Sequence, residues 1–452
     1  FHDSIGDFRE AERRIITMKV YQGISGGIYH VADKRLGRGG EGSVHEIENF
    51  PGHVAKIFKE NKRDAAREEK LCKMVQNTVP EEMLKCVTWP KDVLYDQDGF
   101  VGYVMQRVKN ISSLSELYSN NKYDLRTRLI AAYNLCAAID TIHSAGQVCG
   151  DLNPRNICIN LDQNDADKFQ VILVDADSYH FITDEKIYRC EVGLADYLAP
   201  EMQKKISGGI TLRNAPLPTF TKATDLFALA VHVFCLLMNG SHPFACAREE
   251  NGNVTNTMEQ MTELSGKESV VAPQPIDNIK NGFFPFYDKQ PGIDIPAYAP
   301  EFASLEPSLQ RLFVQTFVEG YQNPGKRVHA DEWLAALKPL IDDIQNTITR
   351  CGKGHYYFSC AARCPYCDIE EKVRRLISGI GPTPSVQPPE SKDSPVKPPK
   401  PPEGRPPEPP TFSPPPKRGV VRRIIDELGV FWTICLMLMM LFFAYAILYT
   451  LL

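Results

Sequence analysis

The chain lacks a basic excess. Its 51 Lys and Arg are outnumbered by 56 Asp and Glu, a formal charge of −5, so there is no overall positive field and nucleic acid is not an expected partner. It lacks an apolar run at its start: Phe1 to Val20 is broken throughout by Asp, Glu and Arg, which excludes a secretory signal peptide there. No Met opens the chain, and Met18 is a candidate start. A paired cysteine framework is also missing. The 13 Cys are an odd number scattered through core-like segments, Cys136, Cys149, Cys158 and Cys235 among them. That pattern suits a reducing compartment, and the soluble part is expected in the cytosol.

What is present divides the 452 residues into unlike parts. Residues 1–27 read as an extension. From about Ile28 to Asp343, strand-like and helix-like patterns alternate without a low-complexity break, as in one large domain whose halves meet near Val108. Cys351 to Cys367 is rich in Cys, His and aromatics and too short to bury a core unaided. From Gly381 to Lys417, 16 of 37 residues are Pro, which predicts an extended polyproline II linker. Residues 429–452 carry no charge over 24 positions, enough as a helix to cross a hydrocarbon core of ~30 Å. Lys417, Arg418, Arg422 and Arg423 flank this run and predict that the large domain stays on the cytoplasmic side.

A series of motifs runs through the large domain in fixed order. Gly37-Arg38-Gly39-Gly40-Glu41-Gly42-Ser43-Val44 comes first, followed by Val54-Ala55-Lys56, Asp151-Leu152-Asn153-Pro154-Arg155-Asn156, Asp175-Ala176-Asp177 and Ala199-Pro200-Glu201. A glycine-rich stretch alone is weak evidence, because dinucleotide-binding folds share it and place a helix directly after it. Here Val44, Ile47, Val54, Lys56 and Phe58 keep strand spacing, and Asn49-Phe50-Pro51-Gly52 is turn chemistry between two strands. Lys56 shares a face with Val54. In the helix-like run that follows, Glu68 falls on one face with Leu71, Cys72 and Val75, and Glu69 is the neighbouring acid. Val171 to Val174 reads as a buried strand leading into Asp175.

The series resembles the protein-kinase family over about 310 residues. The fold implied is α+β and two-lobed, with a β-rich N-lobe at 28–107 and a helical C-lobe at 108–348. The resemblance implies that amides of the loop carrying Gly37, Gly39, Gly40 and Gly42 cover the phosphates of ATP. It also implies that Lys56 reaches those phosphates and is held by Glu68, with Glu69 the alternative. Val44, Val54, Met105 and Cys158 would surround the adenine, with the Gln106 and Val108 backbone at its edge. Asp151 would orient the acceptor hydroxyl and take its proton, and Asn156 and Asp175 would hold Mg²⁺ or Mn²⁺. Asp225 would accept bonds from the catalytic loop, and Glu201 and Arg327 would form a buried ion pair.

Departures from the family pattern carry expectations of their own. Cys149-Gly150 stands where the family has His-Arg, which removes the usual partner of an activation-loop phosphate. Asn153 replaces a lysine beside the γ-phosphate, and Arg155 is the candidate substitute cation. Ala176 cannot supply the packing of the usual Phe. Asp177 reads as a solvated acid, with a second metal ligand as the alternative.

Cys351-x3-His355 and Cys364-x2-Cys367 offer four ligands on two short turns, as tetrahedral structural Zn²⁺ requires, with Cys360 able to replace His355. This zinc-ribbon-like segment, 349–370, together with Asp-Ala-Asp-Ser-Tyr and Gly-Asp-Leu-Asn-Pro, is similar to divergent bacterial proteins that join a protein-kinase domain to helix-hairpin-helix elements. No such element is evident here. Relatives of that kind imply phosphatase or von Willebrand A domain partners. The expectation is a kinase held at the inner membrane by its C-terminal helix, acting on a hydroxyl of a cytosolic protein, Ser/Thr rather than Tyr. A nucleotide-binding pseudokinase is the alternative.

Overall fold

The computed structural model describes residues 18–109, 111–119, 122–161, 169–250, 253–255 and 274–378. The Pro-rich linker at 381–417 and the apolar run at 429–452 lie outside them. Among the described residues no helix is long and apolar enough to cross a membrane.

The N-lobe is a closed six-stranded barrel of β1 (Met18–Gly23), β2 (Ile28–Arg38), β3 (Gly42–Ile47), β4 (His53–Phe58), β5 (Asp92–Asp96) and β6 (Gly99–Gln106), in the order β1-β2-β3-β4-β6-β5. Strand β1 corrects the expectation that 1–27 is an extension. It pairs with both β2 and β5 and buries Tyr21, so the barrel would open without it. The turn between β3 and β4 falls where Asn49-Phe50-Pro51-Gly52 predicted it, with Gly52 at φ +86° where only glycine is unstrained. Helix α1 (Ala65–Gln76) is capped by Asp64, whose carboxylate accepts the Arg67 amide at 2.8 Å.

The C-lobe is helical. After α2 (Glu81–Cys86) and α3 (Glu116–Ser119), helices α4 (Leu125–Ser144) and α6 (Lys222–Leu237) pack together as its centre, with the short α5 (Pro200–Lys205) between them in sequence. Helix α6 begins at a capping box of Thr221 and Thr224 and buries fourteen of its residues, which an almost wholly apolar surface requires. Beneath the cleft, β7 (Ile111–Ser113), β8 (Ile157–Leu161) and β9 (Phe169–Leu173) form a small antiparallel sheet that carries the catalytic-loop and metal-loop residues.

The cysteine-rich segment is docked on the C-lobe. Its strands, Ile348–Arg350 and Tyr356–Phe358, pair antiparallel, and Ile348 and Phe358 join the main apolar core. The Arg126 guanidinium of α4 lies 4.6 Å over the Tyr356 ring, and Lys372 pairs with Glu301 at 2.9 Å. The segment's helix runs Pro365–Ser378, beyond the expected limit at 370.

Candidate active site

The nucleotide cleft forms between the β2–β3 loop and the small sheet. Of the loop glycines, only Gly42 is demanded by the protein itself, since a Cβ there would collide with the Ile57 carbonyl. A Cβ on Gly37, Gly39 or Gly40 would meet no protein atom within 4 Å, so packing within the protein does not require glycine at these positions. Val54 lies opposite Met105 in the β4–β6 register; both are buried, as is Cys158, with Val44 half-buried beside them. Gln106 is exposed at the strand's end and Val108 half-buried just after it. Val44, Val54 and Met105 thus join one apolar cluster.

Strand β4 carries Lys56 into the cleft, but its partner is not Glu68. The ammonium donates to both carboxylate oxygens of Asp177, at 2.8 and 3.0 Å, and to Asp175 at 3.1 Å. Tyr103, opposite Lys56 in the register, donates its hydroxyl to the same Asp177 oxygen at 2.7 Å. The Asp177 side chain is 2% exposed, against 47% for Asp175, so Asp177 is neither a solvated acid nor open to a metal. Burial pushes the Lys56 pKa down and that of Asp177 up, yet their mutual attraction outweighs both and leaves each group more firmly charged than usual.

Helix α1 is turned by about one residue from the expected face. Its buried residues are Lys70, Leu71 and Met74, and Arg67 rather than Glu68 borders the cleft. Arg67 forks onto Glu41 of the glycine loop at 2.8 and 2.9 Å. The Lys70 ammonium donates to the Tyr179 carbonyl at 2.6 Å, and burial pushes its pKa down to about 8. Glu68 lies instead near the Tyr95 hydroxyl and helps to raise its pKa, and Cys72 meets the same hydroxyl at 3.6 Å. Glu69 is exposed and bonds Lys186 at 2.8 Å and Tyr188 at 2.9 Å.

The catalytic loop is held from below. Asp225 of α6 accepts the Cys149 amide at 2.7 Å and the Gly150 amide at 2.9 Å, and faces His143 at 3.1 Å. Gly150 sits at φ +81°, a conformation that costs glycine least. Asn156 donates its side-chain amide to the Asp151 carbonyl at 3.0 Å and carboxylate at 3.2 Å, leaving its own oxygen uncommitted by these bonds. Burial raises the Asp151 pKa, which bonds from Asn153, Asn156 and the Leu194 backbone partly offset. The buried Asn153 also accepts the Arg155 amide at 2.9 Å, and Arg155 itself is exposed. Asp175 follows β9 in the left-handed region at φ 59°, a strained position that marks functional loops. The Val174 amide bonds the Asn156 carbonyl at 2.9 Å, which brings the two expected metal ligands side by side. Two hard oxygen donors, one a half-exposed carboxylate, fit Mg²⁺.

Beyond the cleft, Glu201 and Arg327 form the paired fork, 2.6 and 2.7 Å long, with the Arg327 side chain fully buried. In the cysteine-rich segment the ligand atoms of Cys351, His355, Cys364 and Cys367 all lie within 4.8 Å of one another. His355 Nδ1 is 3.5 to 3.7 Å from three sulfurs, and Cys351 and Cys367 are 3.8 Å apart. Those distances match the edges of a tetrahedron with bonds of ~2.0–2.3 Å. The other ring nitrogen of His355 faces Glu370 at 3.1 Å, the usual orienting partner of a zinc-bound histidine. His355, not the exposed Cys360, completes this set.

Tyr103, Arg67 and Glu41 are residues around Lys56 and Asp177 to which motif reading gave no role, and Asp177 is one to which it gave another. The β4–β6 register was the available signal for Tyr103.

A two-lobed fold whose glycine loop faces an Asp-Asn catalytic loop and a metal-loop aspartate defines the protein-kinase class. Residues 30–334 match the family model described as "Protein kinase domain", and the chain belongs to that family. It is similar to "Protein kinase YegI" of Escherichia coli K12, 27% identical over 357 residues that cover 75% of this chain and 48% of that protein. It is also similar to "Ovarian-specific serine/threonine-protein kinase Lok" of Drosophila melanogaster, 26% identical over 48% of this chain and 44% of the relative. "MAP kinase-interacting serine/threonine-protein kinase 1" of Xenopus tropicalis is 22% identical over 54% and 57%. The chain spans about half the length of the curated relatives it matches.

Proposed function

We propose that this protein transfers the γ-phosphate of ATP to a Ser or Thr hydroxyl of a cytosolic protein. One observation carries the reading: Asp151, Asn156 and Asp175 are gathered on a loop pair fixed to the core through Asp225. In-line phosphoryl transfer needs positioning and charge neutralisation more than covalent chemistry. Asp151, raised in pKa yet bonded by two asparagines, would orient the acceptor hydroxyl and accept its proton. Asp175 and Asn156 would hold Mg²⁺, which when bound neutralises phosphate charge. The glycine-loop amides and Lys56 would bind the phosphates.

The finer parts of the reading rest on the sequence. The uncharged run at 429–452 and its flanking basic residues support attachment to the inner membrane with the kinase domain in the cytoplasm. Structural Zn²⁺ in the Cys351 cluster is supported by its ligand spacing. Phosphatase or von Willebrand A domain partners rest on family resemblance alone. A second reading, a nucleotide-binding pseudokinase, is favoured by one observation: the buried Asn153 stands in place of a phosphate-neutralising lysine.

The deciding experiment incubates the full chain with γ-labelled ATP and Mg²⁺ or Mn²⁺, beside Asp151→Asn and Asp175→Ala. Label on a protein acceptor that both variants lose establishes the kinase. Nucleotide binding without transfer establishes the pseudokinase.

A further inference from the structure

The lysine that meets ATP phosphates needs a fixed carboxylate beside it, and motif reading sought one on helix α1. That helix instead turns cations toward the cleft. Arg67 is committed to Glu41, and Lys70 to the Tyr179 carbonyl. The acid arrives from the other side, on the 3₁₀ turn Ala176–Ser178 that follows Asp175. Ala176 is fully buried there, so its single methyl lets the turn sit tight against the core where a large side chain would hold it off. The Asp175 carbonyl accepts both the Ser178 amide, at 2.9 Å, and the Ser178 hydroxyl, at 2.8 Å, which closes the turn. Its geometry aims Asp177 inward, onto Lys56 and Tyr103.

We propose that Asp177 is the positioning residue for Lys56, and that it takes the part expected of a helix α1 glutamate. The proposal rests on the reading of the cleft as an ATP site. The two acids of the metal loop then divide their work by exposure. Asp175, 47% exposed, keeps one bond to Lys56 at 3.1 Å and leaves the rest of its carboxylate open to a metal. Asp177, 2% exposed, is spent on the lysine. Tyr103 fixes the carboxylate through its hydroxyl, so both partners of the ion pair are set by one register position between β4 and β6. Lysine and metal ligand are thereby aligned by a single short turn, which Lys70 of helix α1 holds at its far end through the Tyr179 carbonyl.

The test is a double-mutant cycle in the full chain with Lys56→Met, Asp177→Asn, their combination and Glu68→Gln. Four quantities are measured: thermal unfolding without nucleotide, affinity for a fluorescent ATP analogue, affinity for Mn²⁺, and transfer from labelled ATP. Asp177→Asn leaves the buried ammonium with the half-exposed Asp175 as its one acid partner, so it lowers the unfolding temperature, and adding Lys56→Met recovers part of the loss. Transfer falls by about 100-fold or more in Asp177→Asn, no further in the double variant than in Lys56→Met alone, and stays within about twofold in Glu68→Gln.

The proposal is overturned if Glu68→Gln costs as much as Asp177→Asn. It is equally overturned if Asp177→Asn costs the same with and without Lys56, or if it lowers Mn²⁺ affinity in both backgrounds, which would make Asp177 a metal ligand. A wild type that binds the analogue but transfers nothing would refute the kinase reading, while the stability and affinity cycles still judge the pairing. An additive cycle in a wild type that does transfer would refute the pairing alone.

Discussion

Glu41 and Arg67 are joined by two parallel charge-assisted bonds, 2.8 and 2.9 Å long, that tie the tip of the glycine loop to helix α1. The pair is largely shielded, with side chains 30% and 19% exposed, and Arg67 also lies 4.6 Å over the Phe58 ring. A bond of this kind contributes about 1.5 kcal/mol or more. Glu41→Ala should therefore speed amide hydrogen exchange across Gly39 to Ser43 by roughly tenfold, with the barrel strands unchanged. Equal exchange in the two proteins would show that the loop is held by other means.

Removal of zinc is expected to undo the cysteine-rich segment and reach the C-lobe through Ile348 and Phe358, which lie in the shared core. One zinc per chain should be found by elemental analysis. Chelation, Cys364→Ser or His355→Ala should each lower the unfolding temperature, whereas Cys360→Ser should retain both zinc and stability.

The Glu201–Arg327 fork is stabilising only while both partners are present. Glu201→Gln leaves a fully buried guanidinium with its charge uncompensated, at a cost of roughly 3 kcal/mol. The midpoint of urea unfolding should fall accordingly. An unchanged midpoint would mean that water or the Ala223 carbonyl, 2.8 Å from the guanidinium, already satisfies it.

Three histidines, His180 and His232 buried and His242 half-buried, make the C-lobe sensitive to acid. Burial pushes His180, His232 and His242 down to about 4. For His232 the contacts suggest the reason: its Nε2 faces the Leu152 carbonyl at 3.0 Å and its Nδ1 faces the Tyr118 hydroxyl at 2.6 Å, a pattern suited to a neutral ring. The unfolded chain takes up these protons near pH 6.5, and the folded protein only near 4. Stability is thus full above about 6.5 and declines as pH falls through that window, by up to roughly 1.4 kcal/mol per unit for each histidine. Urea midpoints at pH 7, 6 and 5 should show the slope, and His232→Gln should reduce it by about one proton.

The parts of the site legible in the sequence are those that the family resemblance implied residue by residue. Asp225 beneath the catalytic loop, the Glu201–Arg327 pair and the Asn156–Asp175 neighbourhood are of this kind. Helix α1 was legible as a helix but not in its rotation. Glu68, Leu71, Cys72 and Val75 do share a stripe, yet that stripe borders Tyr95 of β5, and the cleft lies against Arg67 and Lys70. Periodicity identifies an apolar face, and tertiary packing decides which edge of it meets the ligand. Asp177 was misread for a similar reason: an acid in a turn is normally solvated, and only the register that places Tyr103 beside Lys56 makes burial there favourable. Strand β1 was missed because a strand held through its backbone on both sides needs little apolar content.

Gly150 stands where an arginine would wait for a phosphate, and a Cβ there would lie 3.0 Å from the Cys190 side chain. The segment after the metal loop is instead pinned by groups already in place: Lys70 on the Tyr179 carbonyl, Arg189 on Ala215, Gln203 on Ala195 and Leu198. On the proposed reading, such a segment would take its shape at folding and need no phosphate to hold it. Control over output would then pass to supply, to how much protein is made, where it is placed and which acceptors come within reach.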